Sequence, residues 1–283
     1  MKPKLAVSFS GGKSSAYLAK RLKHEESHMW DIVNVFMNTG EEAQETLDYV
    51  NKCDVKYELN VVWVEAVFDP RKGKGTRHRV VTYETASIKG EPFEEMCRKH
   101  GLPNSQFPHC TRELKLYPFK SYLKSIGWKN GAYHTAIGIR ADEIDRMSSN
   151  ANKTKTIYPL IGWGITKQMV LDWESKEPVR LGIPEHIGNC KWCWKKSFRK
   201  LGTVAIQHPE YFDFPKMLEA KYKDTGAGFG DRQMFRGKCS VEDIFNLSKQ
   251  PAFEPFVDGF NWMDERLDVG SSCGESCEIG SDE

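Results

Sequence analysis

The sequence has no long apolar run and almost no excess of charge of either sign. No stretch approaches the roughly 18 consecutive apolar residues that a membrane-spanning helix needs. The 41 basic and 39 acidic side chains leave a net charge of +2, which argues against a protein that coats nucleic acid electrostatically. The first residues, MKPKLAVSFSGGKSS, reach two glycines after one short apolar run, unlike a signal peptide. We therefore expect a cytoplasmic protein that does not bind a membrane.

Cysteines are present in moderate number, eight in 283 residues. In a cytoplasmic protein such cysteines are reduced thiols, metal ligands or redox groups more often than structural disulfides. Cys53 and Cys97 fall on helical patterns, so we expect them to be small core residues.

Short apolar runs at residues 5–9, 32–37, 61–67 and 134–139 alternate with helical patterns over the first half of the chain. Strands separated by helices predict an α/β fold with a doubly wound, mostly parallel, Rossmann-like sheet. In such sheets ligands bind beyond the carboxyl ends of the strands. Here those ends carry clusters of Ser, Gly, Asn and Arg.

Changes in composition along the chain predict three regions. Residues 1–180 form the nucleotide-binding α/β domain, and residues 181–267 form a helical, cysteine-containing extension packed on it. Residues 268–283 are rich in Gly, Ser and acidic residues and form a flexible, cysteine-bearing tail.

The strongest candidate for a ligand site is the turn after the first strand. Two glycines let successive backbone N–H groups converge on an anion, and the following helix adds its positive N-terminal end. Serine hydroxyls and one lysine add further donors. The spacing of a Walker A loop is absent. The candidate phosphate-binding residues are Ser8, Ser10, Gly11, Gly12, Lys13, Ser14 and Ser15.

This turn resembles the PP-loop, S-G-G-x-D-S, of the adenine nucleotide α-hydrolase-like superfamily, which includes ATP pyrophosphatases and phosphoadenosine phosphosulfate (PAPS) reductases. Ser14 stands where the ATP pyrophosphatases carry aspartate. That departure weakens the case for Mg-assisted ATP cleavage and favours the reductase branch. The resemblance implies a bound adenine nucleotide: PAPS, adenylyl sulfate or ATP.

Three later segments resemble the PAPS reductases in the same order, so that the resemblance covers residues 5–175. They are Asn38-Thr39-Gly40 with Glu45-Thr46, Gly138 to Arg146, and Tyr158-Pro159-Leu160 with Thr166 and Trp173. The resemblance places Thr39, Gly40, Gly138, Arg140 and Arg146 in the nucleotide site. Arginine forks suit phosphate or sulfate oxygens, although Arg146 also has the helical spacing to pair with Asp142 or Glu143.

A second group of candidates consists of cysteines. Cys190 and Cys193 form a C-x-x-C, a spacing that lets two thiolates face one metal centre. Cys110, in the segment PHCTRELK, resembles the cysteine motif of iron–sulfur-containing adenylyl-sulfate reductases, in which His109 replaces the first of two cysteines.

Three interpretations of these cysteines remain open. In the first, Cys110, Cys190 and Cys193 bind a 4Fe-4S cluster whose fourth ligand is His109, another cysteine or none. In the second, the same residues and His109 bind a structural zinc. In the third, Cys190 and Cys193 form a dithiol redox pair.

The tail carries Cys273 followed by Gly274, which resembles the E-C-G segment of sulfonucleotide reductases. The resemblance makes Cys273 the candidate nucleophile and Cys277 a candidate resolving thiol. The alternative is a pair of incidental or metal-ligating cysteines.

Taken together, these features predict a sulfonucleotide reductase-like enzyme that releases sulfite. Its partners would be a small-molecule sulfonucleotide and a thiol electron donor such as thioredoxin or glutaredoxin. One alternative is an ATP-dependent nucleic-acid thiolation enzyme of the same superfamily, some of which hold a cluster by three cysteines. A phosphate backbone would then contact the basic residues 72–79 with Lys195, Lys196, Arg199 and Lys200. Otherwise we expect residues 72–79 to be a solvated, flexible loop. A further alternative is a non-catalytic nucleotide- or metal-binding adaptor.

Overall fold

The computed structural model describes residues 2–71, 73–105, 107–226, 231–259 and 267. The predicted tail at residues 268–283, with Cys273 and Cys277, lies outside the described residues. No helix among the described residues is long and apolar enough to cross a membrane.

The core of the fold is a six-stranded sheet in the order β4-β3-β2-β1-β5-β6. Every strand pair is parallel except β3–β4, which is antiparallel. The strands are β1 (Lys4–Ser8), β2 (Asp31–Asn38), β3 (Val62–Val67), β4 (Arg77–Val81), β5 (Tyr133–Ala136) and β6 (Thr156–Ile157).

Helices lie between the strands and continue beyond the last one. In chain order they are α1 (Lys13–Glu25), α2 (Gln44–Tyr57), α3 (Glu91–His100), α4 (His109–Thr111), α5 (Tyr117–Ser125), α6 (Ala151–Thr154), α7 (Pro159–Gly162), α8 (Lys167–Lys176), α9 (Phe198–Gln207), α10 (Asp213–Tyr222) and α11 (Val241–Ser248). A π-helical turn at Arg112–Leu116 joins α4 to α5.

The predicted α/β fold with a mostly parallel sheet is confirmed, and the four predicted strands are β1, β2, β3 and β5. The expectation of a solvated loop over residues 72–79 is wrong for its last part, because Arg77–Val81 forms β4 against β3. The short strand β6 was not expected either. Both missed strands lie at the edges of the sheet.

The sheet is covered on both faces, as the two-residue period of β1 shows. Leu5 and Val7 pack with residues of α1 and α2 on one face. Ala6 packs with Phe119 and Leu123 of α5 on the other. A strand buried on both faces reads as the continuous apolar run seen in the sequence.

A separate cluster joins the C-terminal helices to α3. Leu201, Phe212 and Ile244 pack with Phe93 and Met96, and the aromatic and cysteine side chains of residues 190–194 belong to the same cluster. Cys97 is also part of this cluster, and Cys53 is in the sheet core; both are fully buried, which confirms their expected place in the core.

Candidate functional site

The turn between β1 and α1 folds around Gly11. This residue has φ +80°, and a Cβ there would lie 2.7 Å from Cγ2 of Thr46 on α2. Only glycine is comfortable in that conformation at so close a contact. Gly12 precedes the first residue of α1, so the N-terminal N–H groups of this helix open onto the turn.

Arg140 reaches this turn from the segment after β5. Its buried guanidinium donates a hydrogen bond from Nη1 to Oγ of Ser14 at 3.0 Å. Asp142 and Glu143 hold the same guanidinium at 3.2 Å and 3.4 Å. Together with Gly138, whose Cα packs on the backbone of Ser15, these residues form a small pocket lined by Ser10, Gly12, Lys13, Ser14, Ser15, Gly138, Arg140 and Glu143.

The other predicted members of the nucleotide site lie at its margin. Ser8 is the buried last residue of β1. Arg146 forms an ion pair with Glu143 at 2.5 Å, which is the helical pairing that the spacing also allowed.

A larger cavity of about 140 Å³ adjoins the turn. One wall is apolar and comes from α8 and the segment after it; the other carries polar and charged groups. The lining residues are Ser10, Gly11, Gly12, Lys13, Thr46, Lys167, Leu171, Leu181, Ile183, Pro184, Glu185, Gly188, Asn189, Asp258 and Gly259. We refer to this space as the nucleotide cavity.

The hydroxyl of Thr46 is a useful marker in this wall. Thr46 Oγ1 is buried and has no hydrogen-bond partner among the described residues. Buried polar groups are almost always paired in native proteins, so this oxygen indicates that a polar ligand group is accommodated here. The sequence motif contained Thr46, but the set of candidate site residues did not.

The structure brings Cys110 together with the C-x-x-C in a second, smaller cavity of about 20 Å³. Its lining residues are Thr39, Phe93, Cys110, Thr111, Leu114, Lys115, Cys190, Trp192, Cys193 and Trp194. We refer to this space as the thiol cavity. Cys190 and Cys193 are buried and Cys110 is partly buried.

The loop after β2 binds the C-x-x-C segment. The hydroxyl of Thr39 lies 3.4 Å from Sγ of Cys190 and donates to Glu42 at 2.8 Å. The backbone N–H of Lys191 donates to the carbonyl of Glu41 at 2.9 Å. Gly40 accepts from the N–H of Gly90 at 3.0 Å. Thr39 and Gly40, predicted to bind the nucleotide, therefore lie beside the thiols.

Glu41 is an unusual carboxyl group in this loop. Burial raises its pKa to about 7, against the lowering effects of the Lys191 ammonium and of the indole N–H that Trp192 donates. It therefore changes charge near neutral pH, next to the C-x-x-C segment.

His109 has a contact of its own on the far side of α4. Its Nε2 lies 3.1 Å from the carbonyl oxygen of Gly101, and its ring centroid is 5.7 Å from that of His100. Burial lowers the pKa of His109 to about 4. Within the described parts of the chain, no three His, Cys, Asp or Glu side chains form a group that could hold a single metal ion. The tetrahedral zinc site of Cys110, Cys190, Cys193 and His109 is thus not formed there.

The donor set does suit an iron–sulfur cluster. Cysteines of such a cluster bind different iron atoms, so their sulfurs lie farther apart than the ligands of one ion. Trp194 Nε1 borders this cavity as a buried donor without a partner among the described residues. An N–H donor of this kind fits the sulfur atoms of a cluster.

The two cavities are joined through the chain itself. Gly188 and Asn189 line the nucleotide cavity, and the next residue, Cys190, lines the thiol cavity. Asn189 was missed in the sequence although it adjoins the cysteine motif. Asp258 was also missed, and no local pattern marked it.

A glycine turn at the carboxyl end of a central strand, with a cavity beside it, defines a Rossmann-like α/β protein with a candidate nucleotide site. The chain belongs to the phosphoadenosine phosphosulfate reductase domain family, whose model matches residues 4–181. The resemblance found in the sequence is confirmed.

Individual relatives are more distant or carry no functional name. The chain is 31% identical to "Uncharacterized nin region protein ORF290" of Escherichia phage lambda, over 96% of this chain and 94% of that protein. It is 29% identical to "Uncharacterized protein MJ0973" of Methanocaldococcus jannaschii, over 56% of this chain and 33% of that protein. A crystal structure of PAPS reductase from Candida auris, in a phosphate complex, aligns with 63% of this chain and 75% of that one, at 16% identity and a TM-score of 0.38.

Proposed function

We propose that this protein binds an adenine sulfonucleotide at the turn of residues 10–15 and reduces it by thiol chemistry, releasing sulfite. The observation that carries the proposal is the continuity of residues 188–190, which run from the nucleotide cavity directly to the thiol cavity. Membership of the PAPS reductase domain family supports the same reaction class.

The turn and Arg140 would hold the charged end of the substrate. Backbone N–H groups at the start of α1 and the hydroxyls of Ser10 and Ser14 donate to phosphate or sulfate oxygens. Arg140, fixed by Asp142 and Glu143, adds a positive charge that needs little reorganisation when the anion arrives.

Cys273 is the proposed nucleophile. Its thiolate attacks the sulfate sulfur, an S–S bond forms, and the S–O bond to the adenosine phosphate breaks. A second thiol, from Cys277 or from a dithiol donor of the thioredoxin or glutaredoxin class, then attacks Sγ of Cys273. Sulfite leaves, and the two thiols that supplied the electrons become a disulfide.

Cys110, Cys190 and Cys193 would hold an iron–sulfur cluster in this proposal. Bound there, the cluster would supply a redox-active centre close to the nucleotide cavity. Lys115 borders the thiol cavity, and nearby cations of this kind offset cluster charge.

The reaction is tested with anaerobically purified protein incubated with adenylyl sulfate or PAPS. We expect release of sulfite and an intact-mass adduct of one sulfonate. Cys273→Ser should abolish the adduct and preserve nucleotide binding, while Cys239→Ser, a partly buried cysteine elsewhere, should behave as the unchanged protein. Absence of an adduct with both sulfonucleotides would contradict the proposal.

The cluster is tested separately by analysis of iron and acid-labile sulfide. Serine substitutions at Cys110, Cys190 or Cys193 should each remove the iron. Cys53→Ser serves as the matched control, because Cys53 is buried in the sheet core. Iron retained in all three variants, or an unchanged protein without iron, would refute this assignment.

A nucleic-acid thiolation enzyme is the second candidate. It is favoured by the three thiols at one cavity from which His109 is turned toward Gly101, as in thiolation enzymes that use three cysteines. Such an enzyme should consume ATP only when nucleic acid is present, and should remain active when the chain is cut before Ser271. ATP turnover independent of nucleic acid would rule it out.

A further inference from the structure

The nucleotide cavity is lined by charges that already neutralise one another. Lys13 pairs with Glu174 at 2.9 Å, and the carboxylate of Glu174 is nearly buried. Lys167 Nζ lies 2.6 Å from Glu185, and Lys200 approaches the same carboxylate at 2.6 Å. Both lysines that line the cavity are therefore committed to carboxylates of the protein.

Glu185 is ionised at neutral pH. Burial disfavours its charged form, but Lys200 and Lys167 outweigh that effect and lower its pKa to about 2. The carboxylate of Asp258 lies beside it, with both oxygens 3.3 Å from the backbone N of Glu185. The charged lining residues among those described are Lys13, Lys167, Glu185 and Asp258, so their formal charges sum to zero.

The turn has the opposite character. The buried guanidinium of Arg140 contacts Ser14 there, beside the N-terminal end of α1, which carries partial positive charge. The site therefore has one strongly anion-attracting location and, next to it, a cavity with two carboxylates. Carboxylates only accept hydrogen bonds when ionised, so they suit ribose hydroxyl donors and repel a phosphate.

Resting on the proposed nucleotide site, we infer that this cavity selects an adenine nucleotide with a free ribose 3′-hydroxyl. Its substrate is then adenylyl sulfate rather than the 3′-phosphorylated PAPS. Glu185 and Asp258 are the residues that disfavour a second phosphate. A nucleotide whose charges are all at the 5′ end matches the single anion-attracting turn.

Binding of the two reaction products tests this inference without any chemistry. Calorimetry should show AMP binding at least tenfold more tightly than adenosine 3′,5′-bisphosphate at low salt. Added salt should narrow the ratio, because it screens the repulsion of exposed charges. Asp258 is exposed, so its replacement is expected to leave the fold intact.

The variant Asp258→Asn should bind the bisphosphate several-fold more tightly and AMP nearly unchanged. Glu242→Gln, an exposed position on α11, removes one negative charge elsewhere and should leave the ratio unchanged. Equal or tighter binding of the bisphosphate by the unchanged protein would overturn the inference and leave the proposed nucleotide site standing. Failure of both compounds to bind would overturn the nucleotide site itself.

Discussion

At the scale of single residues, Gly11 shows how a side chain is excluded on two counts. Its φ of +80° disfavours any residue with a Cβ, and Thr46 occupies the space that the Cβ would need. Gly127 has nearly the same backbone angle, φ +81°, but nothing lies within 4 Å of its Cβ position. The two glycines therefore separate backbone strain from steric contact.

We expect Gly127→Ala to lower the free energy of unfolding by about 1 kcal/mol, the usual penalty of a left-handed residue. Gly11→Ala should lower it further, because Thr46 and α2 must also shift. It should weaken AMP binding as well, while Gly127→Ala should not. Urea unfolding and calorimetry measure both effects; equal losses in the two variants would show that the contact with Thr46 is unimportant.

Glu41 predicts a pH dependence of stability. Its pKa is raised from 4.5 to about 7 in the folded protein, so the folded state binds the proton more tightly than the unfolded state. The stabilisation is fully present below about pH 4.5 and is lost as the pH rises toward 7. Glutamine imitates the protonated carboxyl and should not lose it.

Glu41→Gln should therefore be more stable than the unchanged protein at pH 8, by up to about 3 kcal/mol from the pKa difference. The two proteins should be alike at pH 4.5. Glu45→Gln, exposed at the start of α2, is the control. A stability difference between Glu41→Gln and the unchanged protein that is the same at both pH values would contradict the burial of a titrating carboxyl.

At the scale of elements, β4 depends on a buried carboxylate of β3. Glu65 is fully buried and accepts hydrogen bonds from Asn38 at 2.7 Å, from the N–H of Ser87 at 2.6 Å and from Arg79 at 2.9 Å. Arg79 on β4 supplies the opposite charge. A strand rich in arginine is thus held at the sheet edge by a charge inside the sheet.

Arg79→Ala should lower the free energy of unfolding by about 2 kcal/mol, because Glu65 keeps its two other donors but loses its counter-ion. The value is below that of a fully buried pair because the Arg79 side chain is 51% exposed. Arg77→Ala, exposed on the same strand, should change stability by less than about 0.5 kcal/mol. Equal effects of the two substitutions in urea unfolding would argue against the role of Glu65.

At the scale of the whole molecule, residues 251–259 cross α9 and end at the nucleotide cavity. Arg199 donates to the carbonyl of Glu254 at 2.6 Å, and the N–H of Phe256 donates to Thr203 at 2.7 Å. Gly202 makes room for the Phe253 ring, which lies 2.5 Å from its Cβ position. This packing carries Asp258 to the cavity.

Gly202→Ala should displace this segment although it favours helix α9 itself. We expect faster amide hydrogen exchange at Phe256 and a smaller preference for AMP over adenosine 3′,5′-bisphosphate. Gly162→Ala, with open space at its Cβ position, should show neither change. Unaltered exchange at Phe256 in Gly202→Ala would mean that the segment is held mainly by other contacts.

The sequence by itself determined the features that repeat over short distances. Apolar runs such as 5–9 and 32–37 marked the central strands, because a strand buried on both faces must be apolar throughout. The turn at Gly11 and Gly12 and the family's motifs were visible for the same reason: a few adjacent residues carry their chemistry. The pairing of Cys110 with the C-x-x-C was predicted from the resemblance, and the structure places all three at one cavity.

Only the tertiary structure decided where distant segments meet. β4 looked like a loop because its strand partner and its buried counter-ion Glu65 belong to another element. Thr39 faces the thiols because residues 190–193 pack on its loop, and Asp258 reaches the cavity because α9 carries its segment there. Such contacts depend on the whole path of the chain, whereas local periodicity records only which face of each element is buried.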